Sequence, residues 1–214
     1  MISPWLCLVI SYAIGSIPWA FIAGKVEGID LREHGSGNLG ATNVVRVLGL
    51  KTGVAVFAAD VLKGFLPVYF LPVYANTLRP DLWAFAFGVA AILGHVKPVY
   101  LLGRGGGKGV ATAAGVFLAL APLPSLIAFL VWCSVFALTR YVSLASVIGA
   151  IAMPLSIFIL HPDPTAPVFL VSVAVAAFVI GKHRANIGRL RRGEEHRFVK
   201  TPAAVADEKE TSGR

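Results

Sequence analysis

Six long apolar runs, at about 4 to 23, 53 to 74, 82 to 102, 110 to 138, 141 to 160 and 166 to 181, leave few folds open to this chain. Most come near the ~20 residues that a helix needs to span a bilayer. Hydrophobic residues make up 57% of the 214 and charged residues only 14%, whereas a soluble domain has roughly half and a quarter. The expected fold class is an all-α polytopic membrane protein. The first run has no basic segment ahead of it and no small-x-small cleavage site followed by a soluble domain, so it reads as a retained helix and not a signal peptide.

Lysine and arginine fall in few of the connections. Lys25, Arg32, Arg46 and Lys51 form one group, Lys97, Arg104 and Lys108 a second, Arg140 a third, and the tail from Lys182 onward a fourth. The stretch from Leu71 to Leu82 holds only Arg79, and that from Leu160 to Pro167 holds none. The positive-inside bias places the basic connections and the C-terminus in the cytoplasm, and the N-terminus and the two poor loops outside. Residues 110 to 138 must then leave and return, because both flanks are inside. Pro122 and Pro124 supply a break, which predicts two short legs, about 111 to 121 and 125 to 138, and about seven membrane segments. A five-span layout with this region re-entrant is the alternative.

Cys7 and Cys133 both lie in apolar runs and read as small buried hydrophobes, not a disulfide. The net charge of +8 is topogenic and favours anionic headgroups; no basic helix interleaved with aromatics suggests nucleic acid. Residues 1 to 200 form the expected membrane domain. The polar, aperiodic residues 201 to 214 form an expected disordered cytoplasmic tail.

Three polar stretches converge on the cytoplasmic face of this layout. The first, EHGSGNLGATNVVRVLG, contains a G-x-G-x-x-G match at 35 to 40. A dinucleotide site would need an apolar strand before Gly35 and a ribose-binding carboxylate at a strand end. KVEGIDLREH is too charged for that strand, and Asp60, about 20 positions on, sits inside an apolar span. The stretch instead offers the donors Ser36, Asn38, Thr42 and Asn43, with Arg46 one turn after Asn43, a guanidinium suited to bidentate phosphate contact.

The second stretch, GRGGGKGVATAAG, is a glycine run ending in Lys108 that opens a helix with Thr112 in its first turn. Such a loop closes backbone N–H groups on an anion, so a Cβ at Gly106 or Gly107 is expected to block the approach to phosphate. Leu102 and Gly109 break the Walker A pattern, which removes nucleotide hydrolysis but not phosphate binding. The third stretch, GKHRANIGRLRRGEEHR, steps His183, Asn186 and Arg189 along one side if the last helix continues, with Gly188 against continuation. Asp60 and Lys63, opposite in charge at i, i+3 within a span, read as a structural ion pair.

In this order, GSIP (15 to 18), GSGNLGATN with Arg46, DVLKG (60 to 64), GHVKPV (94 to 99), GGKGVAT (106 to 112), TRYVSL (139 to 144) and HRANIGRL followed by Glu195 resemble the acyl-phosphate-dependent glycerol-3-phosphate acyltransferases, the bacterial PlsY family. The resemblance extends to about residue 197. It implies transfer of a fatty acyl group from acyl phosphate to glycerol 3-phosphate, giving lysophosphatidate and phosphate, by a seven-helix enzyme of the bacterial cytoplasmic membrane. It implies that Ser36 and Arg46 are essential, that the 105 to 109 loop takes the glycerol phosphate, and that His183, Asn186 and Glu195 form a third motif.

The nominated catalytic residues are Ser36, Arg46, Lys108, His183 and Asn186. The nominated substrate-binding residues are Asn38, Thr42, Asn43, Gly105, Gly106, Gly107, Gly109, Thr112, Arg140 and Glu195. No cofactor or metal is expected. The expected partners are the two substrates, the bilayer and the enzyme that makes the acyl phosphate. None of His34, His95, His161, His183 or His196 is followed five residues later by Asp, so the H-x-x-x-x-D dyad of other glycerolipid acyltransferases is excluded. A transporter of phosphorylated small molecules is the alternative, but it would spread polar residues through several spans.

Overall fold

The computed structural model describes residues 2–198; the tail expected from 201 lies outside them. The described residues form α1 (Pro4–Gly15), α2 (Trp19–Val26), α3 (Ala41–Leu48), α4 (Leu50–Tyr74), α5 (Pro80–Val96), a 3₁₀ turn (Val99–Leu101), α6 (Val110–Leu120), α7 (Pro122–Thr139), α8 (Val142–Leu160), α9 (Pro167–Lys182) and α10 (Arg184–Arg191), with no named strand. Among the described residues, five segments are long and apolar enough to cross a membrane: Pro4–Val26, Leu50–Tyr74, Pro80–Leu101, Pro122–Thr139 and Val142–Leu160. The bent pair α9 and α10 makes a sixth, and α6 is a shorter apolar helix.

Proline decides several boundaries. It opens α1, α5, α7 and α9, where its missing N–H costs no helical bond. In GSIP, Pro18 ends the first helix early and separates α1 from α2, so the single run at 4 to 23 is a broken span. Pro122 and Pro124 do not occupy a loop, because both fit the first turn of α7, and the break is at Ala121. The expectation of two short legs therefore holds for α6 alone. At 1.5 Å per residue its 11 residues reach only about 16 Å, whereas α7 has 18 residues.

Glycines bring the spans together. A Cβ on Gly64 would strike the Thr112 carbonyl and one on Gly115 the Val61 carbonyl, so α4 and α6 meet backbone to backbone. Gly15 against Ala91 and Gly94 against Tyr12 do the same for α1 and α5. Small residues at a crossing let dispersion act between helices where lipid offers no hydrophobic drive. The helices α7 and α8 pack on one another, and α9 joins them through Ile157, Met153, Phe169 and Val175.

Two contacts bear on the layout. Ile2 pairs with the start of the α4–α5 connection, donating to Tyr74 O and accepting from Asn76 N, each at 2.8 Å, so the N-terminus and the loop near Arg79 share one end. Lys108 before α6 and Arg140 after α7 both reach the 183–198 segment, through Asn186 and through the Phe198 N–H respectively. The two flanks of 110 to 139 therefore lie at one end, as a leave-and-return path requires. For the orientation in the membrane, single-cysteine labelling in a chain lacking Cys7 and Cys133 should find positions 79 and 163 external and 104, 140 and 196 cytoplasmic. An external position 140 would overturn the arrangement.

Candidate active site

The first polar stretch is a loop held on an apolar foot. Leu31 and Leu39 are buried with Ala20, Val44 and Val56, and this anchors a turn in which Gly35 and Gly37 take φ of +63° and +67°, conformations open to glycine at little cost. Ser36 stands exposed between them, at the tip. Asn43, nominated to bind substrate, is 2% exposed and faces the loop. Its Oδ1 accepts the Ser36 N–H at 2.8 Å, while Nδ2 donates to His34 O at 3.0 Å and Leu31 O at 3.2 Å. Both donors are spent, so in this geometry Asn43 shapes the loop that presents Ser36. Asn38 and Thr42 are half-buried around the Gly40 cap of α3, and Arg46 is exposed on its last turn.

The glycine loop lies against the first stretch, with Gly105 under the Arg32 side chain and near Leu39. Gly105 and Gly109 adopt φ of +72° and +87°. The reason expected for Gly106 and Gly107 is corrected by the packing. A Cβ on Gly106 would collide with the Val96 carbonyl and one on Gly107 with the His95 ring, so these glycines are required by the protein behind the loop. The Gly107 N–H is also spent, on His95 O at 3.2 Å. Among the described residues the N–H groups of Gly105, Gly106, Lys108 and Gly109 meet no acceptor, and with those of the first turn of α6, which have no partner inside the helix, they are the donors left for an anion. Thr112 is fully buried and its Oγ1 meets no partner among the described residues, so it lies beneath that turn and not at its mouth.

The third stretch does not continue α9. The chain bends by 58° at His183, and α10 then runs through Gly188. The His183 N–H is shared between Val179 O and Ile180 O, which tightens the last turn of α9. Nδ1 of the same residue donates to Val179 O at 2.8 Å. The bend aims Asn186 at Lys108: Nζ donates to Asn186 Oδ1 at 2.5 Å, Asn186 Nδ2 donates to Glu195 Oε1 at 2.6 Å, and Arg189 Nε donates to Glu195 Oε2 at 2.7 Å.

Burial pushes the Lys108 ammonium below its ordinary pKa; Glu195 opposes this, while Arg189 and Arg46 add to it. Arg46 thus belongs to the same electrostatic field as Lys108. Burial works to raise the Glu195 carboxyl, but the hydrogen bonds from Asn186 and Arg189 outweigh it and hold the group low. The result is a cationic mouth in which Lys108 and Arg189 flank Asn186 and one carboxylate. Arg140 is placed differently. It caps α7 in the left-handed region at φ +61°, exposed beside a groove with Tyr141, Leu144, Leu190 and Arg197, and no contact among the described residues joins it to Lys108. Arg32, which covers Gly105, is a residue that the sequence reading does not nominate.

A family model described as glycerol-3-phosphate acyltransferase matches residues 5–193. The chain belongs to that family. Among its relatives, the glycerol-3-phosphate acyltransferase of Aquifex aeolicus is 45% identical over 89% of this chain and 97% of its own. That of Geobacter sulfurreducens is 44% identical over 92% and 99%. A crystal structure of PlsY, an integral membrane glycerol 3-phosphate acyltransferase, in its glycerol 3-phosphate form superposes with a TM-score of 0.84 at 41% identity, covering 92% of this chain and 96% of that one. The lysophosphatidic acid form gives 0.81 at 40% identity. Acyltransferase family, all-helical membrane fold and the motif reading therefore agree.

Proposed function

We propose that this chain catalyses the first acylation of phospholipid synthesis at the cytoplasmic face of a bacterial inner membrane, moving a fatty acyl group from acyl phosphate to glycerol 3-phosphate. The observation that carries the reading is the convergence of Lys108, Arg46, Asn186 and the open first turn of α6 at one end of a bundle of apolar helices. Both substrates bear phosphate, and one bears an apolar chain that the bilayer would hold. The family and the two PlsY forms support the acceptor and the product.

An acyl phosphate is already activated, so the protein has to orient two anions, screen their repulsion and stabilise charge on the departing phosphate. Lys108 and Arg46 supply that field, and Ser36 and His183 orient phosphate or hydroxyl groups by hydrogen bonds. The glycerol hydroxyl oxygen attacks the acyl carbon, the carbon–oxygen bond to phosphate breaks, and the hydroxyl proton passes to a phosphate oxygen of the donor. No protein base is required. Supply of a donor so apolar favours association with the enzyme that makes it.

Purified protein in detergent should release inorganic phosphate only when palmitoyl phosphate and glycerol 3-phosphate are both present. No release would sink the reading and leave a transporter. The proton route is tested by His183→Asn across roughly pH 5 to 9, which brackets the ordinary imidazole pKa of about 6.5. We expect the profile to keep its shape. A positioned base contributes ~10²- to 10⁴-fold, and loss of that size together with disappearance of an acidic limb would make His183 the base.

A further inference from the structure

Behind the glycine loop lies a charged cluster that the reaction as described does not use. Asp60, Lys63 and His95 are 2%, 3% and 6% exposed. Lys63 Nζ pairs with Asp60 Oδ1 at 2.7 Å, His95 Nδ1 stands 3.7 Å from the same oxygen, and Nζ donates to Ile17 O at 2.8 Å. That carbonyl is available because Pro18 breaks the helix between α1 and α2. The other side of His95 meets the loop: its carbonyl holds the Gly107 N–H, its ring fills the place a Gly107 Cβ would take, and the next carbonyl, of Val96, abuts Gly106. A cavity of about 10 Å³ beside this contact is lined by Trp19, Asp60, Lys63, His95 and residues 105–107.

We propose that His95 is a positioning residue for the glycerol phosphate site, held by the Asp60–Lys63 pair and setting the height and curvature of the 105–109 loop from behind. The inference rests on the reading of that loop as the site of the acceptor phosphate. Ionisable groups at this depth are costly and are retained where they do work. A pair that served stability alone would need no imidazole between it and two glycines that admit no Cβ. The Asp60 carboxylate faces the ring at Nδ1 across 3.7 Å, an electrostatic contact longer than a hydrogen bond, and the ring's far edge at Nε2 is the surface on which Gly107 rests. The α1–α2 break, the α4 ion pair and the end of α5 are thereby coupled to one loop. The acyl donor, whose chain lies in the bilayer, is expected to depend on this support much less than the soluble acceptor does.

The test compares wild type, His95→Gln, Gly107→Ala and the double variant His95→Ala/Gly107→Ala. It measures the KM for glycerol 3-phosphate and for palmitoyl phosphate separately, with thermal unfolding in detergent to show that each variant is folded. His95→Gln and Gly107→Ala should each raise the KM for glycerol 3-phosphate by about 10-fold, up to roughly 100-fold for a displacement near 1 Å. The KM for palmitoyl phosphate should stay within about 2-fold, since a lost ground-state contact acts on the substrate that makes it. In the double variant the added methyl takes the space of the missing ring, so its KM for glycerol 3-phosphate should fall back below that of Gly107→Ala. A merely structural histidine would raise both KM values together or lower only the amount of folded protein. Either of those outcomes, or a double variant no better than Gly107→Ala, overturns the positioning role while wild-type activity leaves the proposed function standing. A wild type inactive with both substrates overturns the function and this inference with it.

Discussion

Replacing Lys108 by Met should lower turnover by about 10²- to 10³-fold, the usual loss when one preorganised electrostatic group is removed from a site where charge develops. Met keeps the length and apolar stem of the side chain, so the change is in charge. It leaves Asn186 Oδ1 without its donor, and Glu195 with Arg189 as its one hydrogen-bonded cation beside the neutral Asn186 amide. The departing phosphate would then form beside a carboxylate with less cation to offset it. Lys108→Arg keeps the charge but cannot reproduce a contact built for a point ammonium, and should lie between. The pH profile separates the two replacements. The Lys108 ammonium is held below its ordinary pKa by burial, so kcat/KM should fall on the alkaline side as it loses its proton, and Lys108→Arg should abolish that fall. Phosphate release by folded Lys108→Met at the wild-type rate would remove Lys108 from the site.

Asp60→Ala should destabilise the protein by about 3–5 kcal/mol, the cost of leaving one member of a buried pair without its partner. Lys63 would remain 3% exposed, with only the Ile17 carbonyl to receive its protons at 2.8 Å. The double variant Asp60→Ala/Lys63→Met removes both charges and should recover most of that loss, since buried pairs are often neutral overall against apolar replacements. Thermal unfolding in one detergent, for all three proteins, measures the difference. Asp60→Ala as stable as wild type would mean that the pair is not what closes α4 on the α1–α2 break. Activity should not recover with stability in the double variant, because His95 would still lack the carboxylate that faces its ring at 3.7 Å.

The candidate site was legible in the sequence as far as composition and punctuation reach. Basic residues confined to a few connections brought three polar stretches to one face, and the contacts of Lys108 with Asn186 and of Gly105 with Leu39 agree with that convergence. Residue type misled where a donor was assumed to be free. Asn43 looks like a phosphate ligand from its place one turn before Arg46, yet it is consumed by Ser36, His34 and Leu31. Gly106 and Gly107 look like room for an anion and are room for Val96 and His95.

The sequence by itself determined most of the spans, the interruption before α7 and the i, i+3 pair inside α4. These follow from local physics: apolar runs set by bilayer thickness, a ring that removes one N–H, and side chains one helical turn apart. Tertiary structure alone decided the bend at His183, the use of Asn43, the separate place of Arg140 and the meeting of His95 with the glycine loop. Each depends on which groups meet after helices pack, and Lys108 and Asn186 stand 78 positions apart in the chain. Residue spacing sets which side chains share a helix face, but a hydrogen bond across helices is set by the crossing geometry, which small residues such as Gly64 and Gly115 determine only once both helices are present.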